Sequence, residues 1–237
     1  MAFCNRLKIP DTSTTRPWLR RTLALFFVAL SWSAALAHAQ EPVRAIKLSE
    51  AQKRVITSGG VSVDMKQLDT VNRGEVVGLV KAPISEVWPV ITDCGKYEEW
   101  RDSIVDTGVV RKESDTVLVC KGTARVPFPA SNRHGHFRVT NLPSTVAGIA
   151  GFTSAFKYIE GSGNLSDMFG YWLLQPYEGN EEYTVIKYVL NVDIGGWLPD
   201  FLVRWASRRV LPDTIHGVRM VVGKNRGEKL KKPTFWE

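Results

Sequence analysis

Residues 79–104 read LVKAPISEVWPVITDCGKYEEWRDSI and define the first unit of the fold. The stretch begins in a predicted strand, residues 75–81, which is rich in Val and Leu. Pro83 then starts a helix over residues 83–92, because its fixed φ and missing N–H suit the first helical turn. A second short helix is predicted near residues 96–102. The unit is therefore one strand followed directly by two short helices.

The segment that follows, residues 103–193, has the pattern of a β-sheet. It is rich in Val, Ile, Tyr, Phe and Trp, and turn residues such as Gly161-Ser162-Gly163 interrupt it. The predicted strands are residues 104–112, 116–125, 134–141, 152–160, 168–175 and 183–193. Connections this short require antiparallel pairing. A meander without βαβ units excludes a Rossmann-like fold.

Helices are predicted at both ends of this sheet. Residues 48–58 form the first, which stops at a Gly-Gly pair before a short strand at residues 61–64. Residues 198–224 carry apolar side chains at helical spacing, and Pro212 should kink or split that helix. The predicted fold class is therefore α+β, a curved antiparallel sheet of about six strands around a long C-terminal helix. Such an arrangement leaves a concave apolar site between sheet and helix.

The first 39 residues have the layout of a secretory signal peptide. Residues 16–21 are cationic, residues 22–37 are almost free of polar groups, and an Ala-x-Ala motif ends at Ala39. Cleavage is expected before Gln40. A membrane anchor is the alternative, although sixteen apolar residues are short for the roughly 20 that span a bilayer. We expect an exported protein, periplasmic or secreted after cleavage.

The remaining chain is predicted to be one domain with two short flanking segments. The assignments are 1–39 signal peptide, 40–74 N-terminal helix and lead-in strand packed on the domain, 75–225 main domain, and 226–237 loose C-terminal tail. The main domain is large enough to bury a full core.

Charge and cysteine content limit the possible functions. The whole chain has 31 Lys and Arg against 24 Asp and Glu, but five of those cations and one acid lie in residues 1–39. The mature chain is nearly balanced in charge, so nothing predicts nucleic-acid binding. Two cysteines remain after cleavage, Cys94 and Cys120. They could pair in an oxidising compartment or remain two buried free thiols, and the sequence slightly favours the thiols.

Four segments together resemble the START-like helix-grip superfamily, which includes START lipid-transfer domains and polyketide cyclase/dehydrases. The similarity covers about residues 75–225. The segments are 79–104 with its Ala-Pro-x-x-x-Val-Trp and Tyr-x-x-Trp patterns, 127–133 (PFPASNR), 159–176 (IEGSGNLSDMFGYWLLQP) and 193–202 (DIGGWLPDFL).

This resemblance implies a helix-grip fold with an internal hydrophobic tunnel. It implies binding or transfer of a lipid, sterol, isoprenoid or similar apolar molecule, without a cofactor. Members include both carriers and enzymes, so the fold alone does not decide the function. One alternative is a cyclase-like enzyme that uses His136, Tyr158 or an arginine for acid–base chemistry. Another is an interaction protein whose core is filled.

Strand alternation predicts which side chains line the tunnel. Lys121, Lys157 and Lys187 mark outward faces, and their neighbours then point inward. The predicted apolar lining from the strands is Leu118, Phe156, Tyr158, Trp172, Leu174, Ile186, Tyr188 and Leu190, and from the last helix Phe201, Trp205 and Ile215. The alternative for each is a place in a dry core, because apolar stripes with these periods are usually core.

Three polar residues, Arg125, Arg133 and His136, complete the predicted ligand-binding set. A buried arginine in an apolar tunnel needs a partner, and a ligand hydroxyl or carboxylate could supply one. The alternative is an arginine at the surface or in an internal ion pair. His134 and His136 share a strand face, but the sequence has no third candidate metal ligand at a spacing typical of a metal site. No metal ligand and no catalytic residue is assigned.

Two further segments could contact a membrane. Residues 142–152 are apolar and Gly-rich, so they form either a buried strand or a mobile loop that gates the tunnel or touches a bilayer. Trp197 and the basic residues Arg204, Arg208 and Arg209 could lie at an anionic surface. A solvated basic face is the alternative.

Overall fold

The computed structural model describes residues 45–68, 71–146, 149–193 and 200–228. They belong to one compact unit, Val43–Glu237. The predicted signal peptide, its cleavage site, Trp197 and the end of the tail lie outside the described residues. Among the helices that are described, none has the length and apolar character needed to cross a membrane.

One antiparallel sheet of eight strands forms the body of the protein. The strands are β1 (Val61–Leu68), β2 (Val71–Val80), β3 (Ile104–Lys112), β4 (Val117–Ala124), β5 (Arg133–Val146), β6 (Ile149–Tyr158), β7 (Asp167–Tyr177) and β8 (Asn180–Asp193). Their order across the sheet is β1-β2-β8-β7-β6-β5-β4-β3. The six strands predicted from residues 103–193 are all present, and the β1–β2 hairpin adds two more by pairing with β8.

The described residues also form five α-helices beside the sheet. They are α1 (Glu50–Thr57), α2 (Ile84–Thr92), α3 (Tyr97–Trp100), α4 (Asp200–Trp205) and α5 (Leu211–Asn225). A 3-10 turn, Cys94–Lys96, precedes α3, and a π-helical turn, Ala206–Val210, joins α4 to α5. Pro212 lies in the first turn of α5, where its missing N–H is tolerated. The C-terminal helix is therefore interrupted by a π-helical turn that ends just before Pro212.

Helix α5 packs against one face of the sheet and forms the main core. Its residues Leu211, Ile215 and Val218 are buried against side chains that include Val76 and Ile186. Glycines allow this close approach. A Cβ at Gly78 would lie 2.5 Å from Ile215 Cγ2, and one at Gly217 would collide with the Trp100 carbonyl oxygen.

Helix α1 packs on the opposite face of the sheet. Ile56 is buried against Val77, Leu79 and Val185, which alternate with the residues that face α5. The helix begins with a capping box in which Ser49 and Gln52 satisfy each other's backbone N–H groups. The sheet is therefore covered on both faces near β2 and β8.

The described residues of the apolar segment 142–152 belong to two paired strands. Residues 142–146 lie in β5 and residues 149–152 in β6, and these strands pair from Phe137 and Tyr158 out to Val146 and Ile149. Leu142 is 46% exposed, so this end of the strand pair is not buried.

Candidate functional site

A cavity of about 110 Å³ lies between the inner face of the sheet and the segment from Cys94 to Ile104. Strands β3 to β8 form its walls, and Tyr97 and Arg101 close one end. The lining is mostly apolar or aromatic. Its apolar members are Ile104, Ala124, Phe137, Val139, Phe156, Leu165, Met168 and Trp172, with the Tyr97 and Tyr188 rings.

Aromatic rings form the deepest part of this lining. The ring centroids of Trp172 and Tyr188 lie 4.5 Å apart, and those of Phe156 and Tyr188 lie 5.9 Å apart. Alternation along β6, β7 and β8 turns all three side chains to the inner face, because Ser154 pairs with Trp172 and Trp172 pairs with Tyr188. Trp172 and Tyr188 are almost completely buried, so this wall is rigid.

A disulfide bond joins Cys94 to Cys120 in the cavity wall. The sequence left pairing and free thiols open and slightly favoured the thiols, and the structure shows a pair. The bond connects the 3-10 turn before α3 to β4. Both cysteines are buried against Val139, so the bond fixes one side of the cavity.

Arg101 is the polar group at the closed end of the cavity. The residue is 6% exposed. Its Nη2 donates a hydrogen bond of 3.3 Å to Thr214 Oγ1, and its Nε has no hydrogen-bond partner. The guanidinium carbon lies 5.6 Å from the ring centroids of both Tyr97 and Tyr188. The guanidinium group is therefore held between two rings of the lining.

Two ionisable groups beside Arg101 are also buried. The Asp213 carboxylate oxygen Oδ2 accepts a hydrogen bond of 2.8 Å from the Asp102 N–H. Burial raises the pKa of Asp213, and the positive charge of Arg101 acts in the opposite direction. The Tyr97 hydroxyl donates to the Ile91 carbonyl oxygen at 2.5 Å, and burial raises its pKa strongly. The Tyr97 hydroxyl is therefore neutral, and its proton is used in the hydrogen bond to the backbone.

The charged side chains of the lining are all cationic. They are Arg101, Arg133 and Lys121, of which Lys121 lies opposite His136 of β5 and turns its side chain to the outer face of the sheet. Lys121 forms an ion pair of 2.8 Å with Asp106, and Arg133 Nη1 donates to Ser131 Oγ at 2.9 Å. No described lining residue is Asp, Glu or His. Across the described part of the chain, no group of three or more His, Cys, Asp or Glu residues could hold a metal ion.

The structure brings some of the predicted site residues together around this cavity. Arg133, Phe156, Trp172 and Tyr188 line it directly. Others from the predicted set pack in the core or in the small cluster near the disulfide. These are Leu118, Tyr158, Leu174, Ile186, Leu190 and Ile215.

The other four predicted site residues lie neither in the lining nor in these clusters. Arg125 is exposed just after β4. His136 faces the outer side of the sheet, because Phe137 of the same strand points into the cavity. Phe201 is 40% exposed on α4, and Trp205 at the end of α4 does not reach the cavity.

Sequence reasoning missed Arg101, the most buried charged residue of the lining. Strand alternation gives no information there, because Arg101 follows a single-turn helix. The available signal was local: Arg101 directly follows the Tyr-x-x-Trp pattern whose aromatic residues, Tyr97 and Trp100, pack against the core. A charged residue held next to such a pair is a candidate for burial.

Solved structures share this fold at low sequence identity. The match to the STAR-related lipid transfer protein of Xanthomonas axonopodis has a TM-score of 0.56 and 18% identity, and covers 75% of this chain and 96% of that one. Human StAR-related lipid transfer protein 5 matches with a TM-score of 0.57 and 16% identity, over 88% of this chain and 97% of the other. The predicted START-like helix-grip fold is confirmed.

Human STARD10 matches similarly, with a TM-score of 0.54 and 15% identity over 78% of this chain and 84% of that one. No curated protein matches the chain. The sequence model of one family, described as polyketide cyclase / dehydrase and lipid transport, matches residues 80–219. That match covers more than half of the 237 residues, and the chain therefore belongs to this family.

Proposed function

We propose that the protein binds one apolar ligand of the lipid type in the cavity beneath Trp172 and carries it through an aqueous compartment. The observation that carries the proposal is the mostly apolar lining of aromatic and aliphatic groups between the sheet and the Cys94–Ile104 segment. The family description names lipid transport, and the similar solved structures are called lipid transfer proteins. These names support the proposal.

Binding would derive most of its free energy from removing the ligand from water. Burial of about 300 Å² of apolar ligand surface at about 25 cal/mol per Å² contributes about 7 kcal/mol. The ordering of ligand and protein opposes this gain. A carrier needs no catalytic group for such binding, only a dry and complementary lining.

The size of the cavity sets a condition on ligand entry. Its volume of about 110 Å³ is below the roughly 150 Å³ of an engineered cavity that accepts benzene, so a larger ligand requires the lining to move. Leu165 and Met168 are half-buried beside the β6–β7 connection. Methionine is flexible, and these two residues are the proposed movable part of the wall. Trp172 and Tyr188 form the fixed part.

A cyclase-like enzyme is the competing function for this family. Acid–base catalysis near neutral pH most often uses a His, Asp or Glu side chain that faces the substrate, and less often Tyr or Lys. The described lining residues include no His, Asp or Glu, and His136 faces the other side of the sheet. This arrangement favours a carrier over an enzyme.

We also infer that the protein works after export. The sequence of residues 1–39 motivates this inference, and the Cys94–Cys120 disulfide fits an oxidising compartment. A test is to express the whole chain in a bacterium and determine by mass spectrometry where the chain begins and in which fraction it is found. An uncleaved chain in the cytoplasmic fraction would contradict the inference.

The binding proposal is tested by native mass spectrometry of the protein purified without detergent, followed by solvent extraction. We expect a co-purifying apolar molecule near one-to-one. The test variant is Ala124→Leu, because Ala124 lines the cavity and a larger side chain there would occupy its space. It should lose most of the bound ligand.

The matched control is Thr123→Leu, which places the same side chain on the adjacent residue of β4, outside the lining. The control should retain ligand like the unchanged protein. Equal retention by both variants would show that the ligand binds elsewhere. A protein that carries nothing and binds no added lipid would contradict the proposed function itself.

A further inference from the structure

We propose that the ligand is an apolar monocarboxylate and that Arg101 binds its carboxylate at the closed end of the cavity. This inference rests on the proposed function and adds the chemical class of the head group. It distinguishes an acid, such as a fatty acid, from the neutral sterols and isoprenoids that the same fold could hold.

The hydrogen bonds of Arg101 leave one of its buried donors without an acceptor. A guanidinium group has five N–H donors in a fixed fork. Its Nη2 reaches Thr214 Oγ1 at 3.3 Å, a long contact, and its Nε has no partner. Arg101 is 6% exposed, so water does not readily supply the missing acceptor. A buried donor without an acceptor is costly, and a ligand that supplies one is favoured by that cost.

The charge distribution of the lining favours an anion. The charged lining residues on the inner face, Arg101 and Arg133, are cations, whereas Lys121 shares the outer face with His136, and no described lining residue is acidic. The nearby Asp213 carboxyl already accepts the backbone N–H of Asp102. Lys121 and Arg133 are partly exposed and have partners of their own, so Arg101 is the buried cation that faces the cavity.

The position of Arg101 also suits an amphipathic ligand, with a polar head group at one end and an apolar body. Tyr97 and Tyr188 flank its guanidinium group, which limits its freedom before ligand arrives. A carboxylate can take two parallel hydrogen bonds from such a fork, which a hydroxyl cannot. The apolar body of the ligand then lies along Phe156 and Trp172, with the head group at the Arg101 end.

The experiment compares matched ligands that differ only in head group. Delipidated full-length mature protein is titrated calorimetrically with octanoate and 1-octanol, then with dodecanoate and 1-dodecanol. We expect the unchanged protein to bind each acid about 10- to 100-fold more tightly than the alcohol of the same length. The Arg101→Gln variant should lose this preference and still bind the alcohols.

Two further variants make the result specific. Arg125→Gln removes an exposed arginine outside the cavity and should leave the preference unchanged. Thr214→Val removes the hydroxyl that accepts from Arg101 while keeping a side chain of similar size. It leaves a second donor of Arg101 without an acceptor and should increase the preference. If Arg101→Gln does not fold, the preference of the unchanged protein and its increase in Thr214→Val decide the question.

The outcomes separate this inference from the function on which it rests. Equal affinity for acid and alcohol in the unchanged protein would overturn the carboxylate assignment and leave apolar binding intact. A preference that survives in folded Arg101→Gln would also overturn it. If neither acids nor alcohols bind and nothing is extracted from the purified protein, the proposed function fails, and the inference fails with it.

Discussion

Asp213 is a buried carboxyl group whose protonation should be linked to stability. The residue is 3% exposed and its pKa is raised by burial. In the unfolded chain the carboxyl should titrate near its ordinary value of about 3.9. Between that value and the higher folded value, the folded protein binds more protons than the unfolded chain. The contribution of this group to stability is therefore greatest at low pH and declines as pH rises through that window.

We expect the Asp213→Asn variant to lack this decline. Relative to the unchanged protein, its free energy of unfolding should improve as pH rises from about 4 upward, because the amide has no charge to desolvate. Urea unfolding at a series of pH values measures the difference. The control is Asp115→Asn, whose exposed carboxyl has its pKa lowered by Lys112, so the trend should be weak and opposite in sign. A pH-independent difference for Asp213→Asn would contradict the assignment.

Arg219 connects three elements through its side chain. From α5 it donates hydrogen bonds to the carbonyl oxygens of Leu79 in β2, at 2.9 Å, and of Gly59 and Gly60, at 2.6 and 3.0 Å. The two glycines follow α1 directly, so the side chain ties α1 to the rest of the core. Desolvation lowers the pKa of its guanidinium, which still remains charged.

The Arg219→Met variant should lose this connection while keeping an apolar stem. We expect it to lower the free energy of unfolding by about 2 to 3 kcal/mol, as for hydrogen bonds to a charged group. Amide hydrogen exchange should quicken most in α1, Glu50–Thr57. Lys224→Met, on an exposed position of the same helix, should have little effect. Uniform acceleration over the whole protein would mean that Arg219 does not hold α1 specifically.

The strands were the most predictable elements, and the reason is burial. From residue 103 to residue 193 the apolar side chains alternate because one face of each strand meets the core, and this pattern gave all six strands. Strand β1 lies at the sheet edge with Asp64 and Lys66 exposed, so its alternation was weak and only its first half was predicted. The pairing of β2 with β8 depends on tertiary contacts that no local pattern encodes.

The candidate site was predictable only in part for a related reason. Alternation shows which side of a strand faces inward, and Phe156, Trp172 and Tyr188 were found in that way. It does not show whether an inward residue meets a cavity or a helix. Ile186 and Leu174 face inward like Trp172, but they belong to the core that α5 covers. The position of α5 on the sheet determines whether an inward side chain contacts the helix or lines the cavity.

At the scale of the whole molecule, the Cys94–Cys120 disulfide closes a loop of the chain across the cavity wall. The two cysteines are 26 residues apart in sequence. Closing a loop of that length restricts the unfolded chain and is worth about 3 to 4 kcal/mol in the chain-entropy account. The bond also holds the segment with Arg101 against β4.

We expect a Cys94→Ala and Cys120→Ala double variant to unfold at lower denaturant concentration, with a loss of up to about 3 to 4 kcal/mol. It should also release bound ligand faster, because both cysteines belong to the cavity lining. Stopped-flow dilution of ligand-loaded protein measures release. A reducing agent should bring the unchanged protein to the same behaviour and leave the double variant unaffected. Unaltered stability after reduction would show that the bond does not constrain the fold.

The pairing of β2 with β8 sets the order in which the sheet can be completed during synthesis of the chain. Val80 pairs with Thr184 and Asn72 with Val192, so β2 leaves the ribosome long before its neighbour exists. Until β8 is synthesised, the β1–β2 hairpin and the β3–β7 meander remain two separate fragments, each with an open strand edge. Pairings over such sequence distances form slowly and expose the chain to aggregation. Strand β8 thus closes the sheet, and a nascent chain halted before Asn180 lacks the strand that unites its two halves.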